Sequence, residues 1–293
     1  MENYPLVHIV MLSFNNCQDT ISAIESLSSM TYPRYKLTLV DNASTDETLV
    51  AVRERFPEVT LLPQPLNLGF AGGANVGIKH AFDSAADYVL LVNNDIVVSQ
   101  SMLTNLVENM APDVGAAAPL IYYSNDPERI WSAGFSKHPL LLEMRGGSRG
   151  QIDRQHWSDP LDVDYLLGCT LLISVPALMQ TGLFDERFFF YYEDLDLSLR
   201  LKQHGYRLLT IPTARMWHKV AGSSSIGSLF RTYQMARSST IFFRTHVRGI
   251  RRPLVIMYRL ASALASSWRF LWGGRVDLLK KYWQGLWNGF RTS

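Results

Sequence analysis

Residues 88–98 read YVLLVNNDIVV. Tyr88 to Val92 are apolar or aromatic in unbroken succession, the pattern of a strand buried on both faces. The run stops at Asn93-Asn94-Asp95, polar residues at what is then a strand's carboxyl end. Upstream the pattern repeats. Leu6 to Phe14 is a β-rich run ending in Asn15-Asn16, and Lys36 to Val40 is a short buried strand that stops at Asp41-Asn42. Val59 to Leu62 reads as another strand, and a glycine-rich turn from Asn67 to Gly77 follows it. Helical spacing lies between these runs. In Thr20–Met30, Ile21, Ile24, Leu27 and Ser28 share one side; in the next, Ser44 and Glu47 form a capping signature ahead of Leu49, Val52 and Phe56; in Ala74–Phe82 the glycine turn leads into the helix. Downstream, Met102–Met110 is helical and the pattern weakens from Trp131 to Asp164. Tyr165–Val175 is strand-like with an interruption at Gly168-Cys169, and Leu178–Leu183 is a short helix. Leu195–His204 is a helix stopped by Gly205, and Arg207–Pro212 is a last strand before Met216-Trp217-His218. Alternation of this kind predicts an α/β fold with a mostly parallel sheet and helices on both faces. Ligands of such sheets gather at the carboxyl ends of the strands, where Asn15, Asp41, Asn67 and Asp95 all fall.

At 293 residues and 47% hydrophobic, the chain affords a sizeable core. Two cysteines, Cys17 and Cys169, exclude a disulfide framework and fit a reducing, cytoplasmic compartment. The amino terminus has no basic stretch and no cleavage site, so it reads as a first strand and not as a signal peptide. The net charge of +2 conceals an asymmetry. Residues 1–225 carry 16 Lys+Arg against 25 Asp+Glu, a net of −9; residues 226–293 carry 12 against the single Asp277, a net of +11. A boundary is therefore expected in the flexible stretch Gly222–Ser228, with a main domain at 1–225 and a basic aromatic extension at 226–293. The longest apolar run of that extension, Leu260–Trp268, is too short to span a bilayer and is flanked by Arg259 and Arg269. Amphipathic helices at an anionic membrane surface are the expected role, against two alternatives: nucleic-acid binding, and packing on the main domain or on a second copy in a homodimer.

Chemistry concentrates in FFFYYEDLDLSLR, Phe188–Arg200. Glu193, Asp194 and Asp196 stand within four positions, directly after five aromatic residues. An apolar flank raises a carboxylate pKa and prepares a general base, for which Asp194 is the candidate with Glu193 beside it. The plainer role of such acids is to complement a helix dipole, which suits Glu193 or Asp196. Asp95 with Asn93 and Asn94 offers oxygen ligands for a divalent ion holding a diphosphate; the plainer role is a polar turn. Asp41-Asn42-Ala43-Ser44 offers acceptors to a base or ribose edge; the plainer role is a helix N-cap, which suits Ser44, while Asp41 lies before the cap. His218 taken alone is more simply structural. Asn67-Leu68-Gly69-Phe70-Ala71-Gly72-Gly73-Ala74-Asn75 lets backbone approach a ligand closely but is neither a P-loop nor GxGxxG. No GxSxG elbow is present, since Gly146-Gly147-Ser148-Arg149-Gly150 lies in a basic loop, and HExxH and CxxC are absent, so no nucleophile or zinc constellation is offered.

In this order the motifs VDNASTDET, NLGFAGGANVGI, LLVNNDIVV, GLFDERFFFYYEDLDLSLR and ARMWHKVAGSS resemble those of family 2 glycosyltransferases with the GT-A fold, in particular the rhamnosyltransferase-like branch. The resemblance spans residues 6–225. It implies a Rossmann-like sheet and an inverting, metal-dependent transfer of a sugar from a dTDP- or UDP-linked donor, using Mn2+ or Mg2+. By motif, Ser13, Asn15, Asp41, Asn42, Asn67, Gly73, Asn75, Asn93 and Asn94 would line the donor nucleotide. Asp95 and His218 would hold the metal, although Asn-Asn-Asp replaces the commoner Asp-x-Asp. Asp194, with Glu193, would deprotonate the acceptor, and Asp164, Gly168, Cys169 and Asp196 would lie near the sugars. The acceptor expected is a saccharide, lipid-linked, used in cell-surface polysaccharide assembly at the cytoplasmic face of the membrane, with no nucleic acid involved. A non-catalytic sugar-nucleotide-binding scaffold is the competing class. A sugar-phosphate nucleotidyltransferase is disfavoured because SFNNCQDT lacks the Arg and Lys of its glycine-rich loop.

Overall fold

The structure is a computed structural model and describes residues 4–153, 157–219 and 228–292. The strands are β1 (Val7–Ser13), β2 (Tyr35–Asp41), β3 (Thr60–Pro63), β4 (Tyr88–Asn93), β5 (Ile96–Val98), β6 (Val114–Tyr123), β7 (Asp126–Ser132), β8 (Ser136–Lys137), β9 (Met144–Arg145), β10 (Leu161–Val163), β11 (Thr170–Ser174) and β12 (Arg207–His218). The helices are α1 (Cys17–Ser28), α2 (Thr48–Arg55), α3 (Gly69–Asp83), α4 (Met102–Glu108), α5 (Val175–Thr181), α6 (Glu193–Gln203), α7 (Ser228–His246), α8 (Arg252–Trp272) and α9 (Val276–Arg291). The main sheet runs β10-β12-β6-β11-β4-β1-β2-β3. Four of the seven ladders along that path are parallel, including the whole half β4-β1-β2-β3.

Side-chain alternation along β1 explains the layers. Val7, Ile9 and Met11 point into a core with Ala23, Ile24 and Leu27 of α1 and Leu103 and Leu106 of α4. Val10 points the other way, onto Ala71, Ala74 and Ile78 of α3 and Leu197 of α6. Each strand is therefore covered on both faces, as its unbroken apolar run requires. α3 lies so close to the sheet that a Cβ on Gly77 would collide with Val10 and touch Val40. Gly77→Val is expected to cost about 1–3 kcal/mol by overpacking, less any gain in helix propensity, read as a lower urea midpoint at unchanged slope.

Several elements differ from the sequence expectation. β6 and β7 were not anticipated. Val114-Gly-Ala-Ala-Ala-Pro is poor in β-branched residues, yet β6 is fully buried between β11 and β12, where small side chains fit. The predicted glycine turn is instead the opening of α3, since Gly69, Gly72 and Gly73 already belong to the helix. Ser44 does not cap α2: the helix starts at Thr48, and the Asp46 carboxylate accepts the Thr48 N–H at 3.1 Å. Ser28 is exposed and does not share the buried face of Ile21, Ile24 and Leu27. Of the predicted connection Gly222–Ser228, residues 222–227 lie outside the described residues, and Ser228 opens α7. The aromatic run before α6 packs against α7: Tyr192 meets Phe242 with ring centres 5.3 Å apart, and Ser238 Oγ donates to Phe190 O at 2.9 Å. Phe188, Leu195 and Leu199 share one buried cluster with Ile241, Phe242 and Val247.

Candidate active site

The sheet topology gathers the candidate residues along one edge. β11 runs antiparallel to β4, with Thr170 paired to Val92, so the residues that precede β11 lie beside those that follow β4. Asn93 N–H donates to Cys169 O at 3.0 Å, and Gly168 N–H donates to Asp194 Oδ2 at 3.1 Å. The dipeptide Gly168-Cys169 thus lies between the Asp95 turn and the start of α6. Burial pushes the Cys169 thiol pKa up, and the charges of both Asp95 and Asp194 add to the effect. β12 runs parallel to β6 and ends at the same edge, where β5 pairs His218 with Ile96.

Asp95 and His218 form a buried pair, with Oδ1 and Nε2 3.1 Å apart. His218 Nδ1 is buried without a partner among the described residues, and its ring lies 4.8 Å from that of Trp131. Lys219 N–H donates to Asp95 O and so fixes the turn. The Asp95 carboxylate and the imidazole edge that faces it are the protein atoms here that one divalent ion could share, while the unpartnered Nδ1 lies on the far side of the ring from Asp95. No group of three or more His, Cys, Asp or Glu converges among the described residues, so most coordination positions would fall to diphosphate and water.

A second group joins the ends of β1, β2 and β4. Asn94 Nδ2 donates to Thr20 Oγ1 at 2.9 Å, to Ser13 Oγ at 3.3 Å and to Asn15 O at 3.3 Å. Asn15 N–H donates to Ser44 Oγ, and Asn15 Oδ1 accepts from Thr45 N–H. Asp41 Oδ2 accepts the Ser44 N–H at 3.0 Å, while Asp41 Oδ1 and Asn42 Oδ1 are buried acceptors without a partner among the described residues. Buried acceptors are normally satisfied, so these two mark a place where a ligand's donors fit. Asn15, Asn16, Ala43, Tyr191 and Tyr192 adopt positive φ of 57–71°. Each costs about 1–3 kcal/mol, and all five flank this edge, where strain is retained for geometry. Thr20 and Trp131 join the site without having been singled out from sequence, and the signal available was the polarity of Thr20 on an otherwise apolar helix face; Ser44, read from sequence chiefly as a cap, instead accepts the Asn15 N–H.

The carboxylates of α6 separate into different roles. Asp194 Oδ1 accepts the Leu195 N–H at 2.8 Å, and Oδ2 is held by Gly168. Desolvation raises its pKa to about 6, against the opposing pull of those amides. Burial, with the adjacent Asp194 charge, lifts Glu193 well above the usual carboxylate range, and its Oε2 has no partner among the described residues. Burial raises both carboxyls of the pair, and on Asp194 the Gly168 and Leu195 amides oppose it. Asp196 points elsewhere: Oδ2 accepts from Arg200 at 2.8 Å and Oδ1 lies 2.7 Å from His246 Nε2. It ties α6 to α7, which corrects its expected place near the sugars. Asp164 is likewise engaged, by Lys137 N–H at 2.8 Å and Lys202 Nζ at 3.3 Å.

Three members of the expected donor set are occupied by the fold. Asn75 Nδ2 donates to Phe184 O and Glu186 Oε1, each at 2.9 Å, and its Oδ1 accepts the Phe184 N–H, so it pins a loop and leaves little for a ligand. Gly73 is buried, and a Cβ there would strike Leu12 and Asn42, so its role is close helix packing. Asn67 Oδ1 accepts the Gly69 N–H at 2.8 Å and shapes the start of α3.

A model described as "Glycosyl transferase family 2" matches residues 8–167, more than half of the chain. An N-acetylglucosaminyl-diphospho-decaprenol L-rhamnosyltransferase from Mycobacterium tuberculosis (strain CDC 1551 / Oshkosh) is 31% identical over 268 residues, covering 83% of this chain and 86% of the relative. A dTDP-rhamnosyl transferase from Shigella flexneri is 21% identical over 86% of this chain and 83% of its own. Among solved structures, a mannosyltransferase from Pyrobaculum calidifontis in complex with GDP-Man and Mn2+ superposes with a TM-score of 0.60 at 18% identity, covering 100% of this chain and 77% of its own.

Proposed function

The chain belongs to glycosyl transferase family 2, a rhamnosyltransferase-like glycosyltransferase with a GT-A fold, and from that premise we propose that it moves a deoxyhexose, rhamnose, from a dTDP-linked donor with inversion. The acceptor is a saccharide carried on a lipid diphosphate, like the substrate for which its mycobacterial relative is named. The observation that carries this reading is the dipeptide Gly168-Cys169, which hydrogen-bonds the desolvated Asp194 carboxyl on one side and Asn93, two residues before Asp95, on the other.

Asp41 and Asn42, with unpartnered buried oxygens, accept from the nucleoside, and Ser13, Asn15, Asn93 and Asn94 complete that wall. Asp95 and His218 hold a divalent ion. When bound, that ion supplies positive charge where the leaving diphosphate gains negative charge. Asp194 takes the proton of the acceptor hydroxyl as its oxygen bonds to the anomeric carbon and the bond to diphosphate breaks on the opposite side. Direct displacement inverts the centre and needs no protein nucleophile. Glu193, its carboxyl pushed well above the usual range by burial and by the Asp194 charge, resists ionising beside the base.

The catalytic unit is 1–225, and the basic extension 226–293 seats the enzyme on the cytoplasmic face of an anionic membrane. Among the described residues no helix is long and apolar enough to cross a bilayer, while Trp268, Trp272, Trp283 and Trp287 are exposed on α8 and α9. Titration calorimetry with dTDP-, UDP- and GDP-sugars plus Mn2+ tests the donor: tightest binding of dTDP-rhamnose and its acceptor-dependent conversion to dTDP are expected. Binding without turnover would favour the sugar-nucleotide-binding scaffold, and binding of none would refute both.

A further inference from the structure

A cavity of about 350 Å³ lies between Leu140 and Leu142 on one side and the turn His246–Arg251 on the other. Both walls are fastened to the segments that hold Asp194. Tyr165 Oη donates to Leu142 O at 2.8 Å, and Tyr165 stands three residues before Gly168. His246 Nε2 lies 2.7 Å from Asp196 Oδ1, two residues beyond Asp194 on α6.

The rim is cationic and its centre apolar. Arg248 and Arg251 are exposed, and among the described residues no ion pair or side-chain hydrogen bond engages either. The single acid of residues 226–293, Asp277, pairs with Arg275 at 2.9 Å and neutralises neither. Ile250, between the two arginines, is 96% exposed. From it an exposed apolar face continues through Met257, Leu264, Trp268 and Trp272. An exposed isoleucine between two unneutralised guanidinium groups, beside a cavity of small-ligand size and at the start of a run of exposed apolar residues, matches an amphiphile with a phosphate head and an apolar tail. Guanidinium is the side chain suited to phosphate oxygens.

We propose that this cavity binds the diphosphate of the lipid-linked acceptor, with Arg248 and Arg251 as its anion partners and Ile250 in the apolar layer of the bilayer. The proposal rests on the lipid-linked reading above and adds to it the place where the lipid head is held. The two tethers would then set the distance from the diphosphate to the hydroxyl that reaches Asp194.

Vesicle flotation of the full chain, with no sugar donor present, tests this. One set of phosphatidylcholine vesicles carries a polyprenyl diphosphate; the other carries phosphatidylglycerol at matched surface charge. The wild-type chain is expected to prefer the diphosphate vesicles roughly tenfold, the scale of a charge-assisted pair. R248E/R251E, and the milder R248Q/R251Q, should abolish that preference while keeping their melting temperature, since both arginines are exposed. K280E/K281E, of equal charge change on α9, should weaken binding to both vesicles alike and keep the preference. A preference that survives R248E/R251E, that K280E/K281E also abolishes, or that the wild type lacks would overturn the proposal. The assay involves no transfer, so a failure here is distinct from a failure of the transferase reading, which would show as absent donor turnover with flotation intact.

Discussion

Asp194→Asn is expected to lower sugar transfer by about a hundred- to ten-thousand-fold, the range a positioned general base contributes, with donor affinity within a factor of two of wild type. The variant removes the proton acceptor and leaves Asp41, Asn42, Asp95 and His218 untouched. It should also fold. Desolvation raises Asp194 from 3.8 to about 6, so the unfolded chain ionises first as pH rises. Stability is unaffected by this group below pH 3.8, falls between 3.8 and about 6, and carries the full penalty, at most about 3 kcal/mol, above that. Asparagine removes the penalty but turns an amide donor toward the N–H of Gly168 or Leu195, a loss of about 1–3 kcal/mol. The two effects offset, and the melting temperature should shift by only a few degrees. In the wild-type enzyme kcat/KM should rise through about pH 6 as Asp194 ionises, then level off. A variant that retains more than a tenth of wild-type turnover, or a rate flat from pH 5 to 7, would remove Asp194 from the role of base.

Asp95→Ala should lower metal-stimulated transfer by about a hundred- to a thousand-fold, the cost of deleting one preorganised electrostatic partner of a developing charge. It differs from the Asp194 variant in its binding signature. Affinity for the intact nucleotide-sugar should weaken together with turnover, and Mn2+ should no longer enhance it, because the diphosphate then lacks its counter-charge. His218 loses its partner at the same time, since Asp95 Oδ1 is the contact of its Nε2. Chelation of the wild-type protein with EDTA should reproduce the loss, and added Mn2+ should restore the wild type but not the variant. Unchanged Mn2+ response in Asp95→Ala would refute metal binding at this pair.

Local pattern carried much of this protein. The buried strands around Met11, Leu39 and Leu90 were legible because unbroken apolar runs have few other solutions, and polar residues at their ends pointed to the edge where the site lies. The acidic start of α6 was legible for the same kind of reason: three like charges beside five aromatics are costly without a task. Burial of an alanine-rich strand was not legible, because Val114–Pro119 takes its conformation from β11 and β12 and not from its own propensity. Nor was the sorting of the carboxylates. Asp194 and Asp196 stand two apart in one acidic run, yet one meets two backbone amides in a desolvated site and the other an arginine and a histidine from α7. Asn75 and Asn42 look alike in sequence, but of the two only Asn42 has a buried oxygen with no partner among the described residues. The sequence by itself determined which residue types are present and which strand ends bear them. The tertiary structure alone decided which of their atoms remain unsatisfied, because deciding partners such as Gly168 for Asp194 and His218 for Asp95 come from segments 26 and 123 residues away, and no local spacing encodes that supply.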